Sequence, residues 1–152
     1  MTEEAAEGTT YRIGEVAERF GVSTRTIRYY EELGLIEPSG KSPGGSRRYS
    51  DADVARIERV LELRNVMGFE LDRIGAIVQA ENRFEDLRAE YRRSDSHERH
   101  AEIVEELTSI NDDLRAHVAE KLAVLESFAH DLDARAERLR AVQADLRSKS
   151  AG

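Results

Sequence analysis

Ser23-Thr24-Arg25-Thr26-Ile27-Arg28-Tyr29-Tyr30-Glu31-Glu32-Leu33 is the stretch whose reading decides the fold. A serine in front of such a run can accept one of the backbone N–H groups that a first helical turn leaves without a partner, so Ser23 predicts a helix start. Ile27, Tyr30 and Leu33 then fall on one face, and Thr24, Arg25 and Arg28 mostly on the other. A short helix that buries the first face displays chemistry suited to a DNA groove. Threonine reaches base edges or phosphates, arginine reads guanine or grips phosphate, and tyrosine reaches a backbone oxygen. Alone, such a face is more often a plain solvated surface; the flanking sequence reverses that balance.

Upstream, Ile13, Val16, Ala17 and Phe20 recur at helical spacing within Tyr11 to Phe20, predicting a two-turn helix. Gly21 supplies a sharp turn and Val22 a plug between helices. Helix, glycine turn and capped helix together make a helix-turn-helix pattern. Downstream, Gly34 ends the second helix, and Leu35 and Ile36 read as a short strand. The turn-rich segment Pro38 to Ser46 leads to Arg47, Arg48 and Tyr49 as a returning strand. This is a β-hairpin with a basic edge, a wing, although the same turn composition also suits a flexible loop. Arg47 and Arg48 are well placed for phosphates or a narrow minor groove.

Ser50 predicts the cap of a third helix, with Asp51 and Asp53 in its first turn and Val54, Ile57, Val60 and Leu61 on its buried face. Gly68 breaks it, and Phe69 to Val78 reads as another short amphipathic helix. Asn82 to Arg93, with Phe84, Leu87 and Tyr91, reads as a separate short helix, and Ser94 to Ser96 as a polar break. From about His97 to Arg147 there is neither proline nor glycine, which allows one helix of roughly 75 Å. Its apolar seam starts at Ile103, Leu107, Ile110 and Leu114. It continues through Val118, Leu122, Leu125, Ala129, Leu132, Ala136, Leu139, Gln143 and Leu146 in alternating steps of four and three, a heptad seam. The consecutive four-steps through Leu114 and Val118 predict a stutter. Such a seam has nothing to bury it within the chain, which predicts a coiled coil with a second chain.

The fold class is therefore mainly α: a winged helix-turn-helix DNA-binding domain followed by a long coiled-coil dimerisation helix. The expected division is a disordered acidic tail at 1–10, the DNA-binding domain at 11–80, a connector helix and break at 81–96, the coiled coil at 97–147 and a frayed end at 148–152. Composition agrees: of 152 residues, 36% are charged and 6% aromatic, which favours long solvated helices over a large core. The net charge of -8 looks wrong for a DNA binder until it is divided. Residues 1–10 carry three acids and no base, residues 11–80 carry 11 of each sign, and residues 81–152 carry 17 acids against 12 bases. Ser23 to Tyr49 holds five basic and three acidic residues, so the most basic surface lies where DNA would sit. There is no cysteine, which excludes disulfides and thiolate metal sites. The acidic start is no signal peptide, and no apolar run approaches the ~18 residues of a membrane span, so a cytoplasmic protein is expected.

The chain resembles the MerR family of transcriptional regulators. The resemblance rests on Tyr11-Arg12-Ile13-Gly14-Glu15-Val16-Ala17, Val22-Ser23, Thr26-Ile27-Arg28-Tyr29-Tyr30-Glu31, Gly34-Leu35-Ile36, Arg47-Arg48-Tyr49-Ser50 and Gly68-Phe69. It covers residues 11–80 closely, and the long terminal helix in kind. It implies a homodimer joined by antiparallel pairing of the long helices, which binds promoter operators with an overlong spacer and bends and untwists them to help RNA polymerase. By motif match it places recognition-helix contacts at Thr24, Arg25, Thr26, Arg28 and Tyr29, and wing contacts at Lys41, Arg47, Arg48 and Tyr49. Many members have Gly-Tyr-Arg in the wing where this chain has Gly45-Ser46-Arg47, so that aromatic contact does not carry over.

Metal-sensing members use cysteines, and the superoxide-sensing type a cysteine-bound cluster; with no cysteine, neither activity transfers. His97, His100, Glu98 and Glu102 share one helical region without any standard ligand spacing, so no metal or other cofactor is expected. Drug-sensing members often append a ligand domain after the long helix; with no stretch for one after Arg147, none is expected here. Phe84, Leu87 and Tyr91 line either an effector pocket or, more commonly for such a stripe, ordinary core. No enzymatic constellation is present. A DNA-organising scaffold with the same domain, or a relative of phage-type excisionases, is the alternative from another class.

Overall fold

The computed structural model describes residues 9–150, so the acidic stretch before Thr9 and the last two residues lie outside the described part. The element order is β1 (Thr10–Arg12), α1 (Ile13–Phe20), α2 (Thr24–Glu32), β2 (Gly40–Lys41), β3 (Arg47–Ser50), α3 (Asp51–Asn65), α4 (Leu71–Arg93) and α5 (His97–Ser150). The chain forms two compact units, Met1–Asp86 and Leu87–Gly152.

In the first unit, Val16, Ala17, Ile27, Tyr30, Ile57, Val60 and Ile74 are buried, so the apolar spacing read from α1 to α4 does build one core. Gly21 makes the turn between α1 and α2. Its φ of 64° is left-handed, and its N–H and that of Val22 close onto the last carbonyls of α1. Ser23 caps α2 as expected, its hydroxyl accepting the Thr26 N–H at 3.0 Å. Leu33 departs from its predicted place: it follows the last residue of α2 and is 45% exposed, while Ile27 and Tyr30 carry the buried face.

The wing belongs to a three-stranded antiparallel sheet in the order β1-β3-β2. Two expectations are corrected here. Leu35 and Ile36 are no strand; both are buried core residues beyond the turn at Gly34, and Gly40–Lys41 pairs with β3 instead. Thr10 is no part of a tail, and Tyr11 and Arg12 are not helical: Thr10–Arg12 lies along β3, with Tyr11 opposite Tyr49. A three-residue strand is too short to show an alternation, so no sequence period marks it.

Two further corrections concern helix lengths. Leu71 to Arg93 is one helix, without the break placed before Asn82. The polar run Gln79 to Asn82 interrupts the apolar rhythm but contains no helix breaker, and the Arg59–Glu81 ion pair, at 2.5 Å, ties α3 to α4 there. α4 passes so near Leu35 that a Cβ on Gly75 would lie 3.3 Å from that side chain. The last helix runs to Ser150, so Ser148–Ser150 is helical where fraying was expected.

In the second unit, Leu87 and Ile103 are fully buried. Ser96 starts α5 by accepting the Arg99 N–H, and Arg99 reaches back to Glu90 on α4 at 2.7 Å. Among the described residues no helix is long and apolar enough to cross a membrane.

Asp53 anchors the base of the wing. Its carboxylate is almost wholly buried and accepts the Ser39 N–H at 3.0 Å, the Ser50 N–H at 2.7 Å and the Ser50 hydroxyl at 2.9 Å, besides the Ser39 hydroxyl. Burial pushes its pKa up, but these hydrogen bonds pull it down further and leave it below the ordinary 3.8. A depressed carboxylate stabilises the fold above its unfolded pKa, and that stability is lost as pH falls through the folded value. Asp53→Asn should therefore cost about 1–3 kcal/mol at pH 7. In urea melts over a pH series, the gap to wild type should stay constant down to about pH 5 and close on further acidification.

Candidate DNA-binding surface

The surface is built by α2 and the hairpin of β2 and β3. Arg25, Arg28 and Tyr29 stand exposed on α2, and Thr24 is half-buried. Thr26 is half-buried too, and its hydroxyl lies 2.9 Å from that of Ser23, so it shares in the cap. Lys41 and Arg47 are exposed on the wing and Arg48 is half-buried. The wing tip is closed by Ser42: its N–H donates to the Ser46 carbonyl at 2.7 Å, and its own carbonyl accepts the Gly45 N–H at 2.8 Å. Gly45 takes a φ of 79°, which a side chain would strain.

Tyr49 is the site residue that the structure removes from the surface. It is fully buried, and its hydroxyl donates to one carboxylate oxygen of Glu31. Burial, then the hydrogen bond to Glu31 and its charge, push the phenol far above its ordinary pKa. The Nε of Arg47 forms an ion pair with the other Glu31 oxygen at 2.8 Å, and the Glu31 side chain is only 9% exposed. One carboxylate of α2 thus holds two residues of β3. Its place in the Tyr-Tyr-Glu run was legible, but not its partners, 16 and 18 residues further on. Arg12 is the other residue that sequence reasoning passed over: it lies opposite Arg48 in the sheet and lines a groove with Arg28 and Arg47.

The residues considered for small ligands have other tasks. Leu87 is core, and Tyr91 stacks on His100 with ring centres 4.0 Å apart. Phe84 is half-buried. His100 directs Nε2 at the carbonyls of Ser94 and Tyr91, at 2.7 and 3.0 Å. Among the described residues no group of His, Asp and Glu is arranged to hold a metal ion.

A capped helix with exposed arginines beside a basic wing defines a winged helix-turn-helix DNA-binding protein. Residues 11–81 match the family model described as MerR HTH family regulatory protein. The HTH-type transcriptional regulator YfmP of Bacillus subtilis is 34% identical over 122 residues, 80% of this chain and 86% of that protein. The chain belongs to the MerR family and is a DNA-binding transcriptional regulator. The HTH-type transcriptional activator TipA of Streptomyces coelicolor is 44% identical over 69 residues, 45% of this chain but only 27% of that longer protein. Among solved structures, a putative MerR family transcriptional regulator from Listeria monocytogenes shares the fold, with a TM-score of 0.52 at 21% identity over 93% of this chain and 97% of that one.

Removing Glu31 strands two partners together. Glu31→Ala should destabilise by about 1–3 kcal/mol, since it leaves a buried hydroxyl unsatisfied, whereas Tyr49→Phe should cost about 0.5–1.5 kcal/mol. Denaturant melts of the single and double variants should give a coupling energy of at least about 0.5 kcal/mol.

Proposed function

We propose that the protein is a homodimeric regulator that binds a palindromic promoter operator and controls transcription by distorting the promoter spacer. The observation that carries this reading is the apolar row on α5. Val118, Leu122, Leu125, Leu132, Leu139 and Leu146 are each between 41% and 63% exposed in the single chain. Burying a leucine fully is worth about 1.5–3 kcal/mol, so a row of six has a strong drive to find a matching surface. A second copy offers one with the same heptad spacing. Antiparallel pairing of the two helices is the arrangement that the family resemblance supports.

In this reading Arg25, Arg28, Thr24 and Tyr29 face the major groove, Thr26 steadies the helix start, and Lys41, Arg47 and Arg48 hold the backbone. A two-fold dimer presents two recognition helices to one side of the duplex, about 34 Å or a multiple apart. Where that separation does not match straight DNA, the centre of the site must bend or untwist, at a cost on the order of 1–6 kcal/mol offset by the contacts it permits. RNA polymerase is then the partner that reads the changed spacer.

The dimer is tested by sedimentation. Wild type should be dimeric at micromolar concentration, and Leu125→Lys, which places a charge in the helix pair, should weaken association by several kcal/mol. A folded wild-type monomer at that concentration would contradict the proposal. The mechanism is tested on an operator selected from random DNA and placed in a promoter whose spacer is altered by one or two base pairs. Shortening the spacer should make transcription independent of the protein, and central bases should become hyperreactive to chemical probes in the complex. Unchanged dependence on the protein with straight DNA would point to simple blocking. Occupancy of many dispersed genomic sites would point to a DNA scaffold.

A further inference from the structure

Two pairs of like charges face each other across the small sheet: Lys41 opposite Arg47, and Arg12 opposite Arg48. Like charges directly opposite weaken a strand pair, so neither arrangement helps the sheet itself. Lys41, Arg47 and Arg48 already belong to the wing. Arg12 does not; it ends β1 and immediately precedes α1. It also lines a groove with Arg28 of α2 and with Gly45 and Arg47 of the wing. Glu15 and Glu18 line the groove as well, and Glu15 is turned to the backbone N–H of Arg12 at 2.6 Å.

Gly14 opens into the same groove. It lies in the first turn of a helix, where glycine is among the poorest formers. Its φ is not positive, and a Cβ built on it would meet nothing within 4 Å. Neither backbone conformation nor packing within the unit requires a glycine there. What the missing side chain leaves is open space in a groove that Arg12, Arg28 and Arg47 line.

We propose that Arg12 and Gly14 form, with Arg28 and Arg47, a cradle for one phosphate of the DNA backbone: Arg12 supplies charge and Gly14 supplies the room for the sugar-phosphate chain to approach. The proposal rests on DNA as the ligand and extends the contact surface beyond the recognition helix and wing to the β1–α1 junction.

The test uses the full chain and a 30-base-pair duplex of mixed sequence, titrated over a salt series, with melting temperatures measured in parallel at low salt. Arg12→Gln should weaken binding roughly tenfold and reduce the salt slope by about one unit. It should leave the melting temperature unchanged or raised, because a like-charge pair is relieved. Gly14→Ala and Gly14→Gln should keep or raise the melting temperature through better helix formation, and weaken binding progressively with side-chain size. Unchanged affinity and salt slope in all three variants, against a wild type that binds, would overturn the cradle. So would melting temperatures that fall in step with affinity, since these would mark a structural role. Failure of the wild type to bind the duplex in a salt-dependent manner would instead remove the DNA reading on which the cradle rests.

Discussion

The carboxylate of Glu31 is the point on which the arrangement of the DNA-binding surface depends. It leaves the recognition helix on the buried side and takes a hydrogen bond from Tyr49 and an ion pair from Arg47, both on β3. A nearly buried carboxylate is costly unless its oxygens are satisfied. Here both are, and by residues of one strand. Because Arg47 and Tyr49 alternate with Arg48 along β3, pinning the first two on the α2 side also sets which side Arg48 takes. The relation between helix and wing is thus fixed by polar geometry in addition to the burial of Tyr49.

The wing needs this because it has little else. Its tip is serine, proline and glycine, and β2 is two residues long. A hairpin of that size has no core of its own and is marginal in water. Asp53 holds its base to the start of α3 through Ser39 and Ser50, while Glu31 holds its returning strand. Two carboxylates thereby order a segment that ends in cations. In the proposed role of the wing, such preorganisation would lower the entropy lost when those cations meet phosphate, which would connect two acidic residues to DNA binding.

The long helix follows a different logic. Its surface ion pairs, Arg115 with Asp112 and Lys149 with Asp145, are solvent-exposed and contribute little. Isolated helices persist through local propensity and, in proteins, chiefly through burial of an apolar face. On α5 the face beyond Leu114 is bare, with Phe128 and Val142 flanking the leucine row. The acidic excess of residues 81–152 makes this part of the chain less favourable to phosphate than α2 and the wing, where the basic residues of the first unit gather.

How much of this was legible depends on the range of the interactions. Caps, glycine turns and apolar periods act over a few residues, so Ser23, Gly21 and the spacing Ile13-Val16-Ala17-Phe20 determined the helix-turn-helix from sequence, and the absence of proline and glycine after His97 determined the long helix. The Thr-Ile-Arg-Tyr-Tyr-Glu run with Gly-Leu-Ile determined the family. Tertiary structure decided what periodicity does not encode. Leu35 and Ile36 have strand-like composition, yet they fill the core, because β3 takes Gly40–Lys41 on one edge and Thr10–Arg12 on the other. Asn82 looked like a helix start, yet α4 continues through it, since helices stop at breakers and not at polar runs. Tyr49 has the chemistry of a DNA contact, and Arg12 belongs to the Tyr11–Ala17 run that carries the resemblance, where nothing marks it as a surface cation. Pairing with β3 and the reach of Glu31 put the first inside and the second on the surface, and such contacts between distant residues exist only once the chain has closed on itself.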